Sequence, residues 1–343
     1  MTNLNDSSSE LWSELYRAAV VFRDLAPWTW MHDSDLFGGQ SPVMGKIGYC
    51  AVLGSLGQMF ALNVYLGSKG LAGYWRMADQ ADLPGSTRRA LASVAGHQLC
   101  LMASFEDRAE LDRRDLAVIK ELGLRFRGRN QWPLFRNHRP GYLPWFLEAP
   151  EVQLLTVALQ QATEIAQAVK RDPDYLLELA PEEDTLVLRV QEREIWRNVV
   201  HTPEPVGEPA PPPAIDEVLL SKIAQAGRPQ EGVWLTDYVP VPAAIHEGER
   251  PYYPVVFPVL NDTGVVLHLE VMSTMEAPTE APKRFLAFIA EQEVLPEALV
   301  VGSEEAGDIV GPVCEALGIP VHIEEDLPPL DEFIEGLAGF LAR

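Results

Sequence analysis

The spacing of apolar residues divides the first part of the chain into helices and strands. From Val152 to Val169 the apolar positions step by three and four residues, the period of an amphipathic helix. Short, continuously apolar runs at 47–54 and 59–66, separated by a Ser-Leu-Gly turn, predict a β-hairpin. The predicted helices are 9–26, 71–81, 112–122 and 152–169, and the predicted strands are 47–54, 59–66, 98–105, 185–191 and 194–201. This mixture predicts an α+β fold.

The last part of the chain is more regular. The predicted strands are 233–239, 255–260, 265–272, 298–301 and 319–323, and the predicted helices are 215–226, 281–293, 304–317 and 330–342. After the first helix the order is β-β-β-α-β-α-β-α. The late β-α-β-α portion favours parallel strands joined by right-handed crossovers. We therefore expect an α/β domain here.

A proline-rich stretch separates the two patterns. Residues 203–214 read Pro-Glu-Pro-Val-Gly-Glu-Pro-Ala-Pro-Pro-Pro-Ala, with six prolines in twelve positions. Proline lacks a backbone N–H and has a fixed φ, so this stretch is unsuited to a helix or a central strand. The sequence predicts an α+β domain at 1–202, a linker at 203–214 and an α/β domain at 215–343.

Composition and charge exclude some classes of protein. The chain of 343 residues is 47% hydrophobic and has a formal net charge of −23. Residues 214–343 hold 6 basic and 23 acidic residues, a net charge of −17. A hydrophobic fraction this high argues against an intrinsically disordered acidic protein. The negative charge makes nucleic acid an improbable partner and disfavours an anionic membrane surface.

The cysteines and the first residues indicate the cellular setting. Cys50, Cys100 and Cys314 lie far apart and form no CxxC pair, which argues against a disulfide framework or a zinc site. We expect them to be reduced and buried. The first residues show neither a basic region nor an apolar core of a signal peptide, and no run of 18 apolar residues follows. We expect a soluble cytoplasmic protein without a membrane span.

The segment 125–146 is the main candidate for a binding site. It contains six aromatic residues, no acid, and the five arginines Arg125, Arg127, Arg129, Arg136 and Arg139. Arginine pairs with carboxylates or phosphates, and aromatic rings can stack on bases. Three interpretations stay open: pairing with an acidic surface of the same protein or of a protein partner, binding of a phosphate or acidic ligand such as single-stranded RNA or a nucleotide, and no binding role. We favour the first.

The order of strands and helices in the last part resembles the ribonuclease H-like fold. In that family acidic residues hold two Mg²⁺ or Mn²⁺ ions. The resemblance implies a metal site built from Asp237 on the first strand, Glu304 or the adjacent Glu305 after the fourth strand, and Asp331 or Glu335 on the last helix. One acid of the family pattern has no counterpart in the helix after the third strand, and Glu304 also fits the acidic first turn of a helix. The alternative function is a divergent metal-dependent enzyme acting on nucleic acid.

Three segments resemble uncharacterised bacterial proteins built from two domains of unknown function. They are LWSELYRAAVVFRDLAPWTWM (11–31), GYCAVLGSLGQMFALNVYLG (48–67) and LVVGSEEAGDIVGPVCEALGIPV (299–321). This resemblance implies two domains in a cytoplasmic bacterial protein, and it implies no activity or cofactor. The preferred hypothesis is a non-catalytic binding or interaction protein whose partner the sequence does not identify.

Overall fold

The computed structural model describes residues 6–42, 45–81, 98–207, 215–241, 243–324 and 326–341. They divide into two compact units. Of the described residues, the first unit contains those within 6–78, Gln98–Arg139 and Pro144–Gly207, and the second contains those within 79–81, Pro140–Leu143 and 215–341. Residues 208–214 of the predicted linker lie outside the described residues, so the linker stays a prediction. Each unit combines helices with one β-sheet, a two-domain α+β architecture.

A seven-stranded sheet forms the first unit. Its strands are β1 Phe37–Gln40, β2 Ile47–Leu53, β3 Ala61–Leu66, β4 Cys100–Glu106, β5 Trp132–His138, β6 Leu186–Glu192 and β7 Ile195–His201. The spatial order is β5-β4-β3-β2-β1-β6-β7. Only β1 and β6 are parallel to each other; the other neighbours are antiparallel. The predicted hairpin is present as β2 and β3, with Cys50 opposite Val64.

Helices cover both faces of this sheet. The helices of the first unit are α1 Asp6–Leu25, α2 Gly67–Ala81, α3 Arg113–Glu121, α4 Ala149–Arg171 and α5 Tyr175–Leu179. Helices α1 and α4 contribute Phe22 and Leu155 to the main core, together with Phe105 from the sheet. On the other face Tyr74 of α2 packs with Tyr49 of β2. The long amphipathic helix predicted at 152–169 is the central part of α4.

Two strands and one α-helix of the first unit were absent from the sequence prediction, as were the short 3-10 helices Pro27–Thr29 and Arg108–Glu110. Strand β1 contains two adjacent glycines, which give no apolar alternation. Strand β5 contains Pro133 and Arg136, which interrupt the alternation of apolar and polar residues expected of a strand. It lies at an edge of the sheet, where proline is tolerated. Helix α5 has only five residues, too few to show a period. Within segment 125–146, where the sequence pattern predicts no helix or strand, residues 132–138 therefore form an edge strand.

The second unit contains a mixed sheet. Its strands are β8 Val233–Thr236, β9 Val239–Pro240, β10 Pro254–Asn261, β11 Val266–Ser273, β12 Ala298–Val301 and β13 Val321–Ile323. The order is β11-β10-β8-β12-β13, and β9 pairs with β10. Strands β8, β12 and β13 are parallel, whereas β10 is antiparallel to β8 and β11. The predicted strand 233–239 was wrong in one respect: it is interrupted after Thr236, where the side chain of Asp237 accepts the backbone N–H of Tyr238.

Helices pack on both sides of the second sheet. They are α6 Glu217–Gln225, α7 Ala277–Glu291, α8 Glu304–Leu317 and α9 Pro328–Leu341. Phe285 of α7 and Val310 of α8 share one core with Phe257 of β10. On the other side Ile334 of α9 packs with Val256 of β10. None of the helices in the described ranges is long and apolar enough to cross a membrane.

The three cysteines are unpaired and buried. Burial in apolar surroundings disfavours the thiolate and raises the pKa of each thiol, Cys50, Cys100 and Cys314, to about 12. A thiol with so high a pKa is a poor nucleophile and a poor metal ligand. The cysteines therefore behave as small core residues, as we expected.

Candidate functional site

The loop before β5 is anchored by one aromatic side chain. Phe126 is half-buried and packs against the core, with its ring stacked on Tyr16 at 6.0 Å and edge-on to Trp132 at 5.8 Å. Exposure alternates along the loop, so the neighbours Arg125 and Arg127 are exposed while Phe126 is not. The buried phenylalanine thus determines that the two flanking arginines project away from the core.

Arg125, Arg127 and Arg129 together form what we call the three-arginine loop. The side chain of Arg129 is 90% exposed, and its Nε lies 3.7 Å from Oδ2 of Asp107. Within the described part of the chain, Arg125 and Arg127 have no hydrogen-bond or ion-pair partner. The loop therefore presents three positive charges to solvent, and among the described residues Arg129 is the one of the three with an ion-pair contact.

Arg136 has a different environment. Its guanidinium donates two hydrogen bonds to Asp115, from Nη1 to Oδ1 at 2.9 Å and from Nη2 to Oδ2 at 2.7 Å. The two side chains are only 15% and 11% exposed. Asp115 also accepts the backbone N–H of Asp112 in the capping box of α3. This bidentate pair is internal to the first unit, and it joins β5 to α3.

Arg139 is also paired within the first unit. Its Nη2 donates to Oε1 of Glu151 at 3.1 Å, and the same oxygen accepts a hydrogen bond from Asn137. The other oxygen of Glu151 accepts the backbone N–H of Glu148, which completes the capping box of α4. The Arg139 side chain is 47% exposed, so its charge is only partly removed from solvent.

Several aromatic rings of the segment already contact arginines of the first unit. Phe146 has the guanidinium of Arg114 at 4.3 Å and that of Arg136 at 4.7 Å from its ring centre. Trp132 has Arg108 at 5.8 Å in addition to its contact with Phe126. Bases need an accessible ring face to stack. The packing of these rings therefore weakens the interpretation of the segment as a platform for single-stranded RNA.

The three acids of the alternative hypothesis lie after one strand and in the first turns of two helices. Asp237 follows β8 and is 3% exposed, and its Oδ1 accepts the hydroxyl of Ser303 at 2.5 Å. Glu304 lies in the first turn of α8 and Asp331 in the first turn of α9. Among the residues described, no three His, Cys, Asp or Glu side chains are grouped so that they could hold a metal ion. These residues therefore do not fit the two-metal site that the resemblance implies.

A buried arginine that the sequence analysis missed lies in strand β6. Arg189 is 8% exposed and donates from Nε to Gln161 at 2.9 Å and from Nη1 to Asn198 at 3.0 Å. It also pairs with Glu164. Arg189 lines an open cavity of about 230 Å³ between α4 and α5. In the sequence, a charged residue inside the apolar run 186–190 was the feature that could have indicated this buried arginine. The hydrogen bonds and the ion pair of Arg189 explain how its charge is accommodated.

Comparison with known proteins covers both units. A family model described as Domain of unknown function (DUF7309) matches residues 12–189. A second model, described as Domain of unknown function (DUF6930), matches residues 219–338. No curated protein matches the chain. With a DUF7309 match over more than half of its length, followed by a DUF6930 domain, the chain belongs to the family defined by domain of unknown function DUF7309.

Proposed function

We propose that this protein is a non-catalytic binding protein and that its three-arginine loop binds an acidic surface of a protein. The observation that carries the proposal is the exposure of Arg125 and Arg127, which have no partner in the described ranges. Guanidinium groups form bidentate hydrogen bonds with carboxylates and lose little hydration energy on pairing. Exposed arginines beside a rigid anchor are therefore suited to an acidic partner.

Contacts within the loop and directly after it restrain the loop before any partner binds. The backbone N–H of Asn130 donates to Asp107 at 2.9 Å. Nη1 of Arg23 donates to the backbone carbonyl of Gln131 at 2.7 Å, and its guanidinium lies 5.9 Å from the ring centre of Phe126. A loop that is already ordered loses less conformational entropy on binding. This preorganisation supports a recognition role.

Charge favours a protein partner over nucleic acid. A nucleic acid carries negative charge along its whole length. A strand longer than the loop would therefore also approach other parts of this chain, whose net charge of −23 repels phosphates. An acidic patch on a protein can be as small as the loop itself. The acidic surface could belong to another protein or to residues 214–343, whose net charge is −17. We further propose a cytoplasmic location, where three unpaired cysteines stay reduced.

The test is binding of a fluorescent poly-glutamate peptide by the full chain. Replacing Arg125, Arg127 and Arg129 together by Gln should weaken binding about tenfold, because each exposed charge pair contributes about 0.2–1 kcal/mol. The matched control replaces the exposed residues Arg17, Lys69 and Arg193 by Gln, which removes the same charge elsewhere. The control should bind like the wild type.

Three outcomes bear on the proposal in different ways. Equal affinity of the two triple variants would show that net charge, and not the loop, controls binding. Tighter binding of a single-stranded oligonucleotide of equal charge would favour the nucleic-acid interpretation. A hydrodynamic radius that increases only when the loop arginines are replaced would identify the acidic surface as part of the same chain.

The rival function, a ribonuclease H-like enzyme, has one supporting observation. Asp237 is buried at the carboxyl end of β8, beside the end of the parallel strand β12, where sites in α/β sheets commonly lie. Because the acids do not fit a metal set, no catalytic step follows from them. An increase in the unfolding temperature with Mn²⁺ that occurs in the wild type but not in Asp237→Asn would support this function. An identical increase in both proteins would contradict it.

A further inference from the structure

The edge strand β11 leaves a row of apolar side chains exposed. It is the last strand on one side of the second sheet, and among the described residues no strand pairs with its outer side. Leu267, Leu269 and Val271 are 38%, 41% and 54% exposed. Edge strands are usually protected by charges, prolines or a covering element, because an open edge invites pairing with another strand. Here the edge is long and apolar.

The arrangement of α9 explains why these side chains are uncovered. Val271 lies opposite Val256 of β10, and residues directly opposite in a sheet project from the same face. Val256 is buried against Ile334 of α9. Helix α9 therefore covers β10 on this face and leaves the same face of β11 open.

The backbone of β11 is oriented for further pairing. Leu269 lies opposite Pro258, whose carbonyl accepts the hydroxyl of Thr236 at 2.6 Å and so points toward β8. In an antiparallel pair of strands, two residues that lie opposite each other either both point their N–H and C=O groups toward the partner strand or both point them away from it. The N–H and C=O groups of Leu269 thus point to the free edge, and those of Val271, two residues further on, do the same.

We propose that β11 pairs with β11 of a second copy of this chain, antiparallel around a two-fold axis at Leu269. This register places Leu269 opposite Leu269 of the second copy, and Leu267 opposite Val271. On the other face His268 lies opposite Glu270 of the second copy. Within its own chain each Glu270 already pairs with Arg284 at 2.6 Å and lies 3.3 Å from His268, so the two copies would bring two such clusters of opposite charge together. The two sheets would join into one, and the apolar row of each copy would continue into that of the other.

The sequence of the strand selects this register. A residue whose N–H and C=O groups point to the free edge must lie opposite a residue of the same kind in the second copy. The two-fold axis therefore passes through a residue of β11 rather than between two residues. An axis at Glu270 would place two carboxylates opposite each other, which is unfavourable even though each pairs with Arg284 of its own chain. An axis at His268 would place two imidazoles opposite each other and leave Glu270 facing Val266. Only the axis at Leu269 combines apolar pairs on one face with His–Glu pairs on the other.

The dependence on salt concentration distinguishes this dimer from binding through the three-arginine loop. Each chain carries a net charge of −23, so two copies repel each other at low ionic strength. Salt screens that repulsion, and an apolar interface is not weakened by it. The dimer should therefore become tighter from low to moderate salt, whereas binding through the three-arginine loop should become weaker.

The first experiment is sedimentation of the full chain over a range of concentrations. Leu269→Lys should weaken the dimer about tenfold or more, because the substitution places two like charges opposite each other and removes apolar contact. The control is Val218→Lys on α6, where an apolar residue of the same unit is 66% exposed. A wild type that stays monomeric up to ~100 µM, or equal weakening by both variants, would overturn the proposal.

The second experiment tests the register by cross-linking. Hydrogen-bonded antiparallel pairs have Cα atoms about 5.5 Å apart, a separation that a disulfide can span. Leu269→Cys should therefore form a covalent dimer on mild oxidation, while the three buried native cysteines stay unreacted. Val218→Cys serves as the control. Absence of the covalent dimer in Leu269→Cys, or equal cross-linking of the control, would contradict the two-fold axis at Leu269.

Discussion

Within segment 125–146, the arginines of β5 and of the three-arginine loop differ in whether an acidic side chain pairs with them. Arg136 forms a bidentate pair with Asp115, and both side chains are almost inaccessible to water. Arg127, in the three-arginine loop, is exposed and has no partner in the part of the chain that the structure describes. One arginine is paired inside the fold, and the side chain of the other is in solvent. Residue type alone therefore does not distinguish a paired arginine from an exposed one.

The largest effect should come from breaking the buried pair. Arg136→Ala removes the counter-charge of the buried Asp115 carboxylate and leaves it, among the described residues, only the backbone N–H of Asp112. Breaking a buried pair in this way typically costs about 3–5 kcal/mol. Urea denaturation of the full chain should show this loss in the free energy of unfolding. Arg127→Ala is the comparison and should change it by no more than about 0.5 kcal/mol. Equal losses for the two variants would contradict the division of roles.

A smaller effect is expected from removing the anchor of the loop. Phe126→Ala deletes a half-buried aromatic ring, and we expect a loss of about 2 kcal/mol, below the range for fully buried rings. The same variant should bind poly-glutamate more weakly although it keeps all three arginines, because the loop loses its restraint. Phe126→Leu, which keeps an apolar anchor, should recover most of both properties. Unchanged peptide binding by Phe126→Ala would show that anchoring is irrelevant.

Arg139 tests the intermediate case. Its partner is Glu151, but its side chain is half exposed, so solvent screens the pair. Arg139→Gln should reduce the free energy of unfolding by about 0.5 kcal/mol, and 1 M NaCl should abolish the difference from the wild type. A loss as large as that of Arg136→Ala would mean that exposure does not control the contribution of these pairs.

The smallest effect is the pH dependence contributed by His201. Its ring lies 3.0 Å from the hydroxyl of Tyr49, and burial lowers its pKa below the ordinary 6.5, while Glu204 opposes that shift. The unfolded chain therefore takes up a proton at higher pH than the folded chain does. Stability from this group is complete above pH 6.5 and is lost as the pH falls through the lower pKa of the folded state.

His201→Asn should remove this dependence. Between pH 7 and pH 5 the unfolding free energy of the wild type should fall slightly more than that of the variant, and denaturation at both pH values would measure it. Because the ring is only partly buried, the difference should be well under the effect of Arg136→Ala. A steeper pH dependence in the variant would show that the pKa of His201 is raised in the folded state.

Local patterns predicted the elements whose periodicity is strong. The steps of three and four residues in 152–169 correspond to α4, and the apolar runs at 47–54 and 59–66 correspond to β2 and β3. The α/β order of the last part was also predicted, including the strand 298–301. Strands β1 and β5 were missed because glycine, proline and arginine obscure alternation, and their strand character depends on the neighbours with which they pair.

The sequence by itself determined the secondary structure of the long elements, the positions of the arginines and the uneven distribution of acid, because these depend on residues close together in the chain. Only the tertiary structure decided which charges are satisfied. Asp115 and Arg136 are 21 residues apart, and Glu164 and Arg189 are 25 apart. Folding brings these pairs together and leaves Arg125 and Arg127 in solvent. The same reason applies to Asp237, which folding places against Ser303; within the described ranges it belongs to no group of three side chains that could hold a metal ion.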